Sequence, residues 1–175
     1  MVSVELLSDK ELKQLIREYK NNFPVFEPKW IELTKQSIQK SQDKGYFNHC
    51  SDVFKKGVVV YKLNFSLLWN MLYKPEECYC SKYLWSQKHE KNKIAKVIYA
   101  WAEKKLSLSP ITVVCHLSIS KLLISDGNHR FSVLRYLSEI NKEDYEVLIA
   151  TNVETSRCVD NYAKNLNLNI IKIYP

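Results

Sequence analysis

The chain has 175 residues, 46% of them apolar and 26% charged, which is ordinary globular composition and too apolar for a disordered tail. Its longest apolar runs, such as residues 57–61, fall far short of the roughly 20 residues that cross a bilayer, so no membrane partner is expected. The formal charge is +7, and only Arg17, Arg130, Arg135 and Arg157 are arginines among 26 basic residues. Lysine in that excess favours diffuse attraction to polyanions over bidentate reading of bases, although a solvated lysine-rich face explains it equally well.

Residues 1–10 have neither the basic start nor the apolar stretch of a secretory signal, which gives a cytoplasmic location as the expectation. Ser8-Asp9-Lys10-Glu11 is a capping box that opens a helix carrying Leu12, Leu15, Ile16 and Tyr19 at the helical period. Asn21-Asn22-Phe23-Pro24 ends it. A second helix is predicted from Glu27-Pro28, burying Trp30, Ile31, Thr34 and Ile38 and leaving at Gly45. Residues 58–63 are rich in β-branched side chains after Gly57 and predict a buried strand, followed by a short apolar helix or turn at 66–73 that Pro75 closes. Ile94, Val97, Ile98 and Trp101 mark the longest amphipathic helix, at 88–106, with lysines on its other faces.

Residues 111–116 and 121–124 read as the two strands of a hairpin. Phe131, Leu134, Leu137 and Ile140 then repeat at helical spacing. A strand at 147–152, a helix from Thr155 to about Leu166 and a strand at 169–174 complete a mixed α/β (α+β) reading. No repeat or linker divides the chain, so a single domain over 1–175 is expected, with a mostly helical part at 1–105 and a core at 106–153.

Five cysteines, Cys50, Cys78, Cys80, Cys115 and Cys158, form an odd, irregularly spaced set and are expected to be reduced. Cys78 and Cys80, with His89 and the pair His49-Cys50, could supply zinc ligands, but the spacing fits no paired-cysteine pattern, and no metal site is assigned.

The chain holds three glycines, and one of them lies in Asp126-Gly127-Asn128-His129-Arg130, where a predicted strand turns into a predicted helix. Glycine allows close backbone approach and positive φ, and the free N–H groups of a helix start favour an anion. Arg130 offers a planar fork for phosphate oxygens, and His129 a donor or proton carrier. Asp126 could cap the helix, orient His129 or Arg130, or help to hold a magnesium ion brought by a nucleotide. The competing reading makes Asp126 only a cap, Gly127 only a turn and Arg130 a surface residue.

The run Pro110-Ile111-Thr112-Val113-Val114, then Leu122-Leu123-Ile124-Ser125 and Asp126-Gly127-Asn128-His129-Arg130-Phe131, then Val147-Leu148-Ile149, resembles the ParB N-terminal and sulfiredoxin superfamily over about residues 106–153. The resemblance implies a mixed sheet with helices, preceded by a helical extension. It also implies that Gly127, Asn128, His129 and Arg130 bind the phosphates of a nucleotide, a triphosphate with magnesium being the implied cofactor. His129 and Asp126 become the candidate catalytic residues for phosphoryl transfer or phosphodiester cleavage, by a kinase-like or nuclease activity. Asn128 stands where sulfiredoxin has its catalytic cysteine, which argues against sulfinic acid reduction. His129 and Asn128 also replace the middle Glu-Arg of the partition proteins' Gly-Glu-Arg-Arg. Glu27, Glu32, Glu76, Glu77 and Glu90 are outside candidates for a base, and the sequence selects none. Two other readings stand beside the enzyme: a non-catalytic nucleotide sensor or DNA/RNA binder, and an interaction partner of toxin or antitoxin type.

Overall fold

The computed structural model describes residues 7–31, 57–79, 84–86, 91–116, 118, 120–164 and 169–173. It is mixed α/β, with a five-stranded mixed sheet and, among the described residues, six α-helices. The chain forms two compact units, one from Met1–Lys29, Pro75–Ser109 and His129–Tyr145, the other from Trp30–Lys74, Pro110–Asn128 and Glu146–Pro175.

The first unit is helical. Helix α1 (Asp9–Asn21) starts as the sequence predicts: the Ser8 side chain accepts from the Glu11 N–H at 3.3 Å while the Glu11 carboxylate accepts from the Ser8 N–H at 2.7 Å. Those bonds hold the Glu11 carboxyl below its usual pKa, the side-chain bond to Ser8 being the larger cause. Leu12 and Tyr19 are buried on the inner face.

The helix predicted from Glu27 does not form over the described residues: 23–29 are irregular and Trp30 makes an isolated bridge. The reason lies in what the extended backbone does there. The Lys29 carbonyl accepts from the Trp101 indole N–H at 2.9 Å and from the Leu108 N–H at 2.9 Å. Phe26 packs on Trp101 with ring centroids 6.0 Å apart, and Phe23 meets Tyr136 at 4.7 Å. Aromatic burial and a doubly used carbonyl outweigh a proline-based start signal. Thr34, Ile38 and Gly45 lie outside the described residues.

In the second unit, strand β1 (Val58–Asn64) runs directly into α2 (Phe65–Met71). Pro75 opens a further short helix, α3 (Pro75–Cys78), in the first unit, as proline can at a first helical position. The long amphipathic helix is split: α4 (Lys91–Ile98) passes into a π-helical turn at Tyr99–Glu103, where the Lys104 N–H donates to the Tyr99 carbonyl at 3.0 Å. Ala100, Trp101 and Ala102 are all buried there.

The sheet lies in the second unit, in the order β3-β2-β4-β1-β5, with β2 (Ile111–His116), β3 (Lys121–Asp126), β4 (Glu146–Asn152) and β5 (Asn169–Ile173). β1 pairs antiparallel with β4 and β5, β2 antiparallel with β3, and β2 parallel with β4 through Ile111↔Ile149 and Thr112↔Ala150. Val58, Val59, Val60 and Tyr61 are buried in succession, as both faces of a central strand require. Helix α5 (Asn128–Asn141) follows β3, and α6 (Val153–Ala163) follows β4. The Asn152 side chain caps α6 by accepting from the Thr155 N–H at 2.6 Å. The Tyr61 hydroxyl ties α6 to β1 by donating to the Asp160 carboxylate at 2.8 Å, with the Ser156 carbonyl at 3.1 Å.

Candidate functional site

The segment Asp126–Arg130 begins as sheet and ends as helix within five residues. Asp126 is the last residue of β3 and pairs with Thr112; the next pair is Val113↔Ile124, so Ser125 is an extra, bulged residue. A bulge bends a strand and re-aims the chain beyond it, which here is the turn into α5. Gly127 is buried and has φ of 94°, a left-handed conformation in which a Cβ would clash with the backbone. Helix α5 begins at once with Asn128, and its first turn contains no acidic side chain.

Three expectations for this turn meet the structure. The strand-to-helix junction falls where the sequence puts it, and Gly127 holds a backbone that needs glycine. Asp126 is exposed at the end of the strand, two residues before the first residue of α5.

Asn128 is exposed, and His129 and Arg130 are half-buried on the first turn of α5. The N–H groups of Asn128, His129 and Arg130 belong to the set at a helix start that has no intrahelical acceptor, and the helix dipole adds a partial positive charge there. Phe131 fixes this end of the helix. It is fully buried, and Tyr79 meets its ring edge-on, with centroids 4.8 Å apart and planes at 73°. Burial, aided by the neighbouring Cys78, pushes the Tyr79 phenol up to about 12. Val133, Leu134 and Leu137 continue the buried stripe, while Ile140 is 43% exposed.

Chemically, the turn offers backbone donors and three nitrogen-bearing side chains, those of Asn128, His129 and Arg130, in one short stretch. Such a set suits a ligand with several anionic oxygens. Of the outside candidates for a base, Glu27, Glu76 and Glu77 are exposed, and Glu32 and Glu90 lie outside the described residues.

No family model, curated protein or solved structure matches this chain. The resemblance to the ParB and sulfiredoxin superfamily therefore rests on the residues of the motif and their place in the chain.

Among the described residues no group of three or more histidine, cysteine or acidic side chains is arranged to hold a metal ion. Cys78 is exposed, and its companions in the zinc reading, Cys80, His89, His49 and Cys50, lie outside the described residues. The thiol expectation needs correction at one place: Cys115 on β2 and Cys158 on α6 form a disulfide, their Cα atoms 6.6 Å apart. The two are 43 residues apart in sequence, and no local spacing marks them as partners. Only the packing of α6 along β2 brings them together.

Proposed function

We propose that this protein binds a nucleotide through its phosphates at Asp126–Arg130 and acts on it, or with it, in phosphoryl transfer or phosphodiester cleavage. One observation carries the reading: a buried glycine at positive φ leads without an intervening residue into a helix whose first turn bears His129 and Arg130 and no acid. Gly127 lets phosphate oxygens reach the backbone, the first N–H groups of α5 receive them, and Arg130 clamps two oxygens with its fork. Asp126, at the strand end, would orient His129 or help to hold a magnesium ion brought by a triphosphate. His129 carries the proton, and charge developing on phosphorus is stabilised by Arg130 and the backbone. The similarity of the motif to the ParB and sulfiredoxin superfamily supports the same assignment.

The test is binding of nucleoside triphosphates, with and without magnesium, and of short DNA and RNA strands, to wild type and to Arg130→Ala and Arg130→Lys. Arg130→Ala is expected to weaken nucleotide binding about ten- to a hundredfold, the loss of a charge-assisted bidentate contact worth roughly 1.5–3 kcal/mol. Arg130→Lys keeps the charge without the fork and should recover only part of that. Unchanged affinity in a folded Arg130→Ala protein, for a nucleotide that wild type binds, places the site elsewhere.

A further inference from the structure

Beside the disulfide lies a cavity of about 390 Å³, lined by Ser120, Cys158, Asn161 and Tyr162. Both cysteines are half-buried, but among the described residues Cys158 lines the cavity and Cys115 does not, so the cavity reaches the bond from the Cys158 side. Asn161 and Tyr162 follow Cys158 by three and four residues along α6 and stand on the same side of the helix. The Lys121 ammonium lies 5.3 Å from the centre of the Tyr162 ring and donates to the Asn70 carbonyl at 2.8 Å, which fixes a positive charge next to the cavity. On the other side of the bond, the Cys115 N–H donates to the Thr155 hydroxyl at 3.0 Å, so the backbone of Cys115 is held against α6 by a contact that does not involve sulfur.

From this asymmetry we infer that Cys115 and Cys158 are a reversible redox pair, and that the cavity admits a small anionic disulfide or thiol of the glutathione type to Cys158. Ser120 and Asn161 offer hydrogen bonds to a peptide-like molecule, the Tyr162 ring an apolar surface, and Lys121 suits its carboxylates. In the oxidising direction the Cys158 thiolate attacks one sulfur of the small disulfide, forming a mixed disulfide and expelling one thiolate. The Cys115 thiolate then attacks the Cys158 sulfur and expels the second. Two protein thiols are thereby oxidised to one disulfide, one small disulfide is reduced to two thiols, and the two protons pass to the departing thiolates. Reduction runs the same steps backwards, the small thiol entering again at Cys158. The redox pair is independent of any phosphate site at Asp126–Arg130.

The test uses the full chain, reduced and then exposed to oxidised glutathione, with peptide mass spectrometry to locate every modification. Wild type is expected to form the Cys115–Cys158 cross-link. Cys115→Ser should accumulate one glutathione on Cys158, because the resolving thiol is gone. Cys158→Ser should leave Cys115 at least tenfold slower to modify. The exposed Cys78 takes glutathione in each protein and confirms that the reagent is active. Acid-quenched wild type, sampled early, supplies the same answer if a variant does not fold: the transient mixed disulfide should sit on Cys158. A folded wild type that forms no cross-link, or a mixed disulfide that forms first on Cys115, would overturn the inference.

Discussion

At the scale of single residues, Gly127 and Arg130 play different parts, and the difference decides which variant is informative. Gly127 sits at φ of 94°, so any side chain there strains the turn by about 1–2 kcal/mol before a ligand is considered. Gly127→Ala should therefore lower stability by about that much in a denaturant melt without ligand. A loss within a few tenths of a kcal/mol of zero would show that the turn relaxes easily. Binding losses in Gly127 variants must be corrected for this strain. His129 separates catalysis from binding: if it carries a proton, His129→Ala should lower turnover by roughly 10²–10⁴ while nucleotide affinity changes little. A parallel fall in affinity with unchanged turnover at saturation would make His129 a phosphate donor only. The strand-to-helix junction at Gly127 was legible in the sequence because a rare glycine, a periodic apolar run and polar residues between them fall within a few positions. The bulge at Ser125 was not legible, since a one-residue shift in strand register leaves no mark on composition.

At the scale of elements, local signals succeeded where the chain satisfies itself locally. The capping box of α1, the hairpin β2–β3 and the buried run of β1 are each written in a few neighbouring residues. The reading failed where distant partners decide. Residues 27–31 carry a helix start signal, but Lys29 gives its carbonyl to Trp101 and Leu108, more than 70 positions away. The smooth 3.6-residue periodicity around Trp101 likewise hides a π turn, since adding one residue to a single turn barely alters an apolar stripe. Helix α6 offers a quantitative check of a local signal that the sequence reading passed over. Asn152 ends β4 and caps α6 through Thr155, whose hydroxyl in turn accepts from Cys115. Asn152→Ala should cost about 1 kcal/mol, within the range for caps, and Asn152→Asp should retain most of the stability. Equal melting of Asn152→Ala and wild type, under reducing conditions, would mean that the β1–β4 ladder and the Tyr61 contact hold this end of α6 without the cap.

At the scale of the whole molecule, the helical unit carries a defined response to alkali. Three tyrosines of the helical unit, Tyr19, Tyr79 and Tyr145, have phenols shifted upward, each with burial as its largest cause. The carboxylates of Glu103 and Glu18 add to the effect at Tyr19. In each case the neutral, protonated phenol is the form that fits the fold, because a phenolate would lose its hydration without gaining a cation. An unfolded tyrosine ionises near 10, whereas Tyr79 in the fold ionises near 12. Above the first value the unfolded chain binds fewer protons than the folded one, so stability falls with rising pH; the contribution of Tyr79 is complete below about 10 and is gone above about 12. The helical unit should therefore loosen progressively across that window. Tyr79→Phe cannot ionise and keeps the edge-on contact with Phe131, so it should flatten the decline while leaving the midpoint at neutral pH nearly unchanged. Melting midpoints of wild type, Tyr79→Phe and Tyr19→Phe, taken from neutral pH up to about 12 with tyrosinate absorbance followed in parallel, make the measurement. A wild-type midpoint that stays flat through this range, or a Tyr79→Phe protein that declines as steeply as wild type, would show that the Tyr79 phenol is open to water in solution and that the start of α5 is less firmly packed than its buried Phe131 indicates.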